Sequence, residues 1–202
     1  MKSRGLLLVV SGPSGAGKGT ICNALVGSHP EIFLSVSATT RKPREGEIEG
    51  KSYYFMQEEQ FKDKIANGGF IEWACFCGNY YGTPKDKVEQ LLDEGKDVIL
   101  EIEVQGAMKV RSEYPEAVFV FVLPPSMHEL RNRIVGRGTE TEEVINERLK
   151  TAAWEFSHIA KYNYILLNDN IESAVERFSA IICAEKARVP RNLALIEHIV
   201  EN

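Results

Sequence analysis

The sequence is poor in the residues that would staple a fold, anchor it in a membrane or draw it to nucleic acid. Its 202 residues contain only four cysteines, Cys22, Cys75, Cys77 and Cys183. A single C-x-C pair, with no second pair and no histidine at zinc-finger spacing, argues against a structural zinc site and makes free thiols the default. No apolar run approaches the roughly eighteen residues needed to span a bilayer, and Leu6–Val10 is too short for the apolar part of a secretion signal. A reduced, cytoplasmic location without a membrane partner is expected. Basic residues are not in excess either. With 24 Lys and Arg against 29 Asp and Glu, the net charge is -5, so no general basic field recruits nucleic acid and any arginine cluster is a local device. Repeats, low-complexity segments and domain-splitting linkers are also missing.

What remains is a chain that can bury a core. With 44% hydrophobic and 26% charged residues, a single domain over residues 1–202 is expected. Continuous apolar runs at Leu6–Val10, Asp97–Ile102, Ala117–Leu123 and Tyr164–Leu167 are separated by helix-length segments, the pattern of buried parallel strands. Thr83 followed by Pro84 reads as a helix cap, with Val88, Leu91 and Leu92 inward and Gly95 as the stop. Ser126 and Glu129 have capping-box spacing before Leu130 and Ile134. Phe61 and Ile65 mark a shorter helix ending at Gly68-Gly69, and Ile145, Leu149, Ala152 and Phe156 mark a long one after Thr141. Two last helices, Glu172–Arg188 and Arg191–Val200, are interrupted at Pro190. The segment from about Ser35 to Tyr81 differs, with short extended pieces at Leu34–Ser37, Tyr53–Met56 and Phe70–Phe76. It reads as a β-rich insertion positioned to hold a second substrate.

The strongest chemical signal is Gly12-Pro13-Ser14-Gly15-Ala16-Gly17-Lys18-Gly19-Thr20, directly after the first apolar run. A strand, a glycine-rich loop and a helix form the context in which backbone N–H groups close around phosphate oxygens, while the helix N-terminus and a lysine add positive charge. This predicts a nucleoside triphosphate site. The usual pattern places a hydroxyl directly after the lysine, on Mg2+; here that position is Gly19 and the hydroxyl comes at Thr20, the candidate metal contact. Further on, Arg41 and Arg44 flank Pro43 in a loop dense with hydroxyls. The pair suits a fork for phosphate oxygens and a solvated basic turn about equally. Tyr53 and Tyr81 suit phosphate donors or half-buried packing residues.

Taken together, several blocks in order resemble the guanylate kinase family: Gly12–Thr20, Ser37–Arg44 with Gly50 and Tyr53, Phe70–Ala74, Gly78–Thr83, Asp97–Ala107 and Gly136–Glu140. They cover most of the chain from Gly5 to about Glu185. The resemblance implies an α/β fold of P-loop NTPase type, a three-layer core with a parallel sheet (residues 1–33, 84–125 and 158–202), an inserted β-rich GMP-binding region (about 34–83) and a helical lid (about 126–157). It implies transfer of the γ-phosphoryl group of Mg-ATP to GMP, and to dGMP, giving ADP and GDP. Lys18 and Mg2+ would then hold the donor phosphates. Glu72 would accept the adjacent N1–H and N2–H donors of guanine, with Ser37 and Thr83 as further base contacts. Arg41, Arg44, Tyr53 and Tyr81 would hold the acceptor phosphate, with Glu101 and Glu103 also at the GMP side. Arg137 and Arg148 would close over the transferring group, with Arg133 as a further lid candidate. One departure is Glu103, which stands where the family commonly has aspartate. Two rivals are a non-catalytic binding module on the same scaffold, which typically loses the phosphate loop kept here, and a kinase for another nucleoside monophosphate. Oligomeric state is not legible.

Overall fold

The structure is a computed structural model and describes residues 3–76, 78–136 and 141–201. The first apolar run forms β1 (Leu7–Ser11), the glycine-rich loop follows it, and α1 (Lys18–Ser28) leads to β2 (Ile32–Leu34). The insertion contributes β3 (Ala38–Thr39), β4 (Tyr54–Phe55), α2 (Glu58–Ala66), β5 (Phe70–Phe76) and β6 (Asn79–Pro84). The chain then returns through α3 (Lys85–Asp93), β7 (Asp97–Glu101), α4 (Val104–Glu113), β8 (Val118–Leu123), α5 (Met127–Val135) and α6 (Glu142–Phe156). It closes with β9 (Tyr164–Leu167), α7 (Ile171–Lys186), a 3-10 turn at Val189–Arg191 and α8 (Leu193–Glu201).

Two sheets result. The larger has five strands in the order β2-β7-β1-β8-β9, and every pairing in it is parallel. Strand alternation sends successive side chains of β1 to opposite faces. Leu8 and Val10 join Ile21, Leu25 and Phe178 under α1 and α7, while Leu7 and Val9 join Val88, Leu92 and Val110 under α3 and α4. Covered on both faces, the central strands β1, β7 and β8 need apolar residues at nearly every position, which is why they read as continuous runs, while the edge strand β9 leaves Ile165 and Leu167 exposed. Buried Asp97 ties the layers together: Oδ1 accepts from Leu6 N–H at 2.9 Å and Oδ2 lies 2.6 Å from Lys186 Nζ.

The smaller sheet runs β4-β3-β6-β5 and has its own apolar centre in Ala38, Phe61 and Phe70. Helices α5 and α6 likewise share a separate cluster of Leu130, Ile134, Ile145 and Ala152. Ser126 caps α5, accepting from Glu129 N–H at 3.0 Å.

Three sequence expectations need correction. Leu34–Ser37 is not one extended piece of the insertion: Ile32–Leu34 pairs with β7 in the large sheet, and the small sheet starts only at Ala38. Strand β6 and helix α4 had no place in the sequence reading. Finally, Thr83 does not cap α3. It lies in β6, Pro84 takes the cap position without a side-chain hydrogen bond, and the Thr83 hydroxyl is committed elsewhere. Among the described residues, no helix is long and apolar enough to cross a membrane.

Candidate active site

The glycine-rich loop is built from the backbone. Gly12, Gly15 and Gly17 have φ of 144, 91 and 91 degrees, values a side chain rarely permits. Space enforces the same choice. A Cβ at Gly12 would lie 2.4 Å from Val122 O, and one at Gly17 would lie 2.2 Å from Asn168 Nδ2. Ala16 N–H closes the turn on Pro13 O at 3.0 Å, and Asn168, just past β9, donates through Nδ2 to Ala16 O at 2.7 Å. Helix α1 then begins at Lys18 with no side-chain cap and no acid in its first turn. Its leading N–H groups and positive end remain available to an anion.

Lys18 reaches back along the loop, donating through Nζ to Gly12 O at 2.5 Å and Pro13 O at 3.2 Å. Burial pushes its pKa down, and the carboxylates of Glu101, Glu155 and Glu103 push it up again. Gly19 faces the end of β7: a Cβ there would come 3.3 Å from Glu101 Oε2. Thr20 instead lines a cavity of about 490 Å³ with Gly15, Gly17, Arg133 and residues 168–172. Because β7 and β9 lie on opposite sides of β1, Thr20 and Glu101 occupy opposite flanks of the loop.

Across from the loop, the small sheet gathers the other expected residues. Glu72 on β5 is paired in register with Thr83 on β6, and the buried Thr83 hydroxyl donates to Glu72 Oε1 at 2.8 Å. Glu72 Oε2 lies against Gly106 of α4, where a Cβ would approach to 3.2 Å. Burial raises the Glu72 pKa, while the Thr83 hydrogen bond and Lys109 hold it down. Ser37, half-buried, sits just before β3. Arg41 stacks over the Tyr53 ring, 5.3 Å from its centroid, and Tyr53 meets Tyr81 edge-on at 6.1 Å. Arg44 is exposed at the turn beyond. Glu103 lies one residue past Ile102, outside the strand, and its charge acts on both Lys18 and Glu72, so it stands between the two halves. Helix α6 brings Arg148 to the phosphate loop, where Nη1 donates to Ser14 Oγ at 3.1 Å. Arg133 on α5 is held by Glu129 at 2.9 Å and donates to Asn168 O at 3.3 Å. Arg137 lies outside the described residues.

A phosphate loop facing a carboxylate–threonine pair and an arginine cradle is what comparison with known proteins bears on. A sequence model of the family described as Guanylate kinase matches residues 4–185. The chain belongs to the guanylate kinase family. It is 56% identical over 201 residues to the guanylate kinase of Caldanaerobacter subterraneus subsp. tengcongensis, covering 100% of this chain and 98% of that protein. To the Clostridium acetobutylicum guanylate kinase it is 57% identical over 191 residues, covering 95% and 91%. The crystal structure of guanylate kinase from Anaplasma phagocytophilum superposes with a TM-score of 0.75 at 39% identity, covering 96% of this chain and 94% of that one. Members of this family are nucleoside monophosphate kinases using ATP and GMP.

Within this guanylate kinase scaffold, three side chains beside the expected set were missed. Asn168 holds the loop from β9; its position at the carboxyl end of a parallel strand, where ligands of open sheets gather, was the available signal. Glu155, buried on α6 two turns beyond Arg148, adds a charge beside Lys18. Glu47 takes the Arg41 fork. Neither carboxylate announces itself in a segment already rich in charge.

Proposed function

We propose that the two facing halves divide the guanylate kinase reaction, transfer of the γ-phosphoryl group of ATP to GMP, between donor residues 12–20 and an acceptor set on the small sheet. The observation that carries this assignment is the Glu72–Thr83 pair: a half-buried carboxylate whose Oε1 is held by a buried hydroxyl while Oε2 lies against Gly106. Guanine offers adjacent N1–H and N2–H donors to such a group, and adenine does not. A base without those donors leaves buried polar atoms unsatisfied, a basis for discrimination of roughly 10⁴-fold. Ser37 supplements the base contact. Arg41, Arg44, Tyr53 and Tyr81 take the acceptor phosphate.

That phosphate is largely dianionic near pH 7, its second pKa being about 6, so no strong base is required and catalysis rests on alignment and charge neutralisation. Residues Gly12, Pro13, Ser14, Gly15, Ala16 and Gly17 wrap the donor phosphates, with backbone N–H groups turned to them except at Pro13, which has none, and Ala16, whose N–H closes the turn, and Lys18 swings from the loop carbonyls onto them. Arg148, already on Ser14, and Arg137 neutralise the transferring group as the lid, about 126–157, closes. Magnesium suits this donor set. The ion binds through one or two carboxylates together with water and substrate phosphates, and among the described residues no three-ligand cage competes with that arrangement. Glu101 fits it best, since Gly19 leaves space at that flank; the ion would screen charge between the phosphates. Glu103 spans the two halves. Thr20, the candidate metal contact, opens on the other flank, beside Arg133 and Asn168. The exposed thiols of Cys75 and Cys183 accord with a reducing cytoplasm.

The test is turnover of GMP, AMP, CMP and UMP in one coupled assay with wild type and Glu72→Gln. GMP should dominate in the wild type, and the variant should lose GMP preference; equal turnover of the four nucleotides by wild type would sink the assignment.

A further inference from the structure

The Arg41 guanidinium is already engaged on one edge, and the geometry of that engagement says what its other edge is for. Arginine has five N–H donors in a plane. Nη1 donates to Glu47 Oε2 at 3.0 Å and to Lys42 O at 2.8 Å, and Nη2 donates to Glu47 Oε1 at 2.7 Å. Those three bonds consume the end of the fork. The two donors that Glu47 and Lys42 do not take, Nε–H and the second N–H of Nη2, point the same way along the side edge, the spacing that two phosphate oxygens match. The Tyr81 phenol hydrogen-bonds the same guanidinium, a contact that an acceptor phosphate on this edge would share or displace, and the Tyr53 ring fixes the plane from below.

We propose that Glu47 is a positioning residue for phosphoryl transfer: it grips the end of the Arg41 fork so that the side edge is presented to the acceptor phosphate. This rests on Arg41 being an acceptor-phosphate residue. Glu47 is itself immobilised by the turn it organises. Its Oε2 accepts Arg44 N–H at 2.7 Å, and its own N–H donates to Arg44 O at 3.1 Å. One carboxylate thus sets the guanidinium of the first arginine and the backbone of the second. Hydrogen bonding from Arg41, then from the Arg44 backbone, holds its pKa down to about 2, so it stays ionised throughout the pH range in which the acceptor phosphate titrates. An opposite reading makes Glu47 a stand-in for the phosphate, expelled when GMP arrives. Expulsion would also break the Arg44 hydrogen bond that shapes the loop, and the two readings predict opposite signs for the same variant.

Steady-state kinetics of Arg41→Ala, Glu47→Ala, Glu47→Gln and the double alanine variant decide the matter, with thermal melting as the fold check. Glu47→Ala should raise KM for GMP about ten- to hundredfold, as expected when a reacting group loses its alignment, while KM for ATP stays within about twofold. Glu47→Gln, which keeps an acceptor oxygen for the Arg44 N–H, should fall between wild type and alanine. In the Arg41→Ala background, Glu47→Ala should add clearly less than it does in the wild type, because only the Arg44 backbone is left for it to position. A fall in KM for GMP in Glu47→Ala supports the stand-in and overturns the proposal. Full additivity, or an equal rise in both KM values with a lowered melting temperature, overturns it in favour of a purely structural ion pair. If Arg41→Ala leaves KM for GMP unchanged, the Arg41 assignment itself is wrong and both readings fall; if Arg41→Ala raises it and neither Glu47 variant does, only the Glu47 proposal falls.

Discussion

The two halves of this active site hold their shapes by different means. The donor loop is made of backbone: positive-φ glycines, a turn closed by Ala16 N–H and a helix end, all seated on the large parallel sheet. The acceptor half is made of side chains that hold one another, Glu72 with Thr83 and Arg41 with Glu47, on a small sheet with its own apolar centre. On the proposed assignment, the contrast follows from what each half recognises. A triphosphate tail is the same in every nucleoside triphosphate, so repeated N–H groups suffice. One base must be told from three others, and only oriented polar side chains carry that information.

On that assignment the contrast breaks most sharply at Lys18, the charged side chain that reaches along the donor loop itself. Lys18→Ala should lower kcat by about 10²- to 10³-fold or more, the scale seen when an oriented charge-stabilising donor is removed, while calorimetric GMP binding persists. Loss of GMP binding would mean that the halves are not separable. Next comes Glu72→Gln, for which KM for GMP should rise about 10- to 100-fold, the worth of hydrogen bonds to a charged acceptor, with KM for ATP unchanged. Its pH dependence gives the sign. Burial raises the Glu72 pKa, so GMP affinity in the wild type should weaken as pH falls at values above the ordinary carboxylate range, and Glu72→Gln should lack that limb. The contribution of Glu72 to fold stability runs the other way. Its folded pKa lies above its unfolded one, so that contribution improves as pH falls through the raised value.

Glycine substitutions separate the halves by stability. Gly12→Ala meets both a forbidden φ and Val122 O at 2.4 Å, and should cost about 3 kcal/mol. Gly46→Ala in the acceptor loop has φ of 83 degrees but nothing within 4 Å, and should cost about 1 kcal/mol. Thermal melting should show the difference as a larger drop for the first, at about 2–4 °C per kcal/mol for a chain of this size. The smallest effect is expected for Thr83→Val, which removes one hydroxyl from a site it otherwise fills. KM for GMP should rise about three- to tenfold, and the acid limb should move to higher pH because Glu72 loses the bond that steadies its charge. An unmoved limb would show that Thr83 does not tune Glu72.

Legibility tracked how local each feature is. The phosphate loop, the four apolar strands and the caps at Ser126 and Gly95 were readable because each is set by residues within a few positions. The edge strand Ile32–Leu34 was not, since three residues show no period and its partner lies some sixty-five positions away at Asp97–Ile99. Thr83 shows the limit most clearly. A threonine before proline suits a helix cap locally, yet antiparallel pairing sets it opposite Glu72, and the carboxylate takes the hydroxyl. The Arg41–Arg44 pair was balanced between a phosphate fork and a solvated turn, and the structure adds the partner that a linear reading had passed over, Glu47.

The sequence by itself determined the chemistry on offer: a glycine loop with Lys18, an arginine pair, a carboxylate on a strand, and a parallel core to carry them. These follow from backbone sterics, charge and periodicity, which act over a few residues. Only the tertiary structure decided which groups face each other. It turned Gly19 toward Glu101 and Thr20 away, brought Asn168 under Ala16 from 152 positions along the chain, and gave one edge of Arg41 to Glu47. The reason is the order of the sheet. Strands distant in sequence become neighbours, and hydrogen bonding is settled by distances of about 3 Å, which no spacing along the chain encodes.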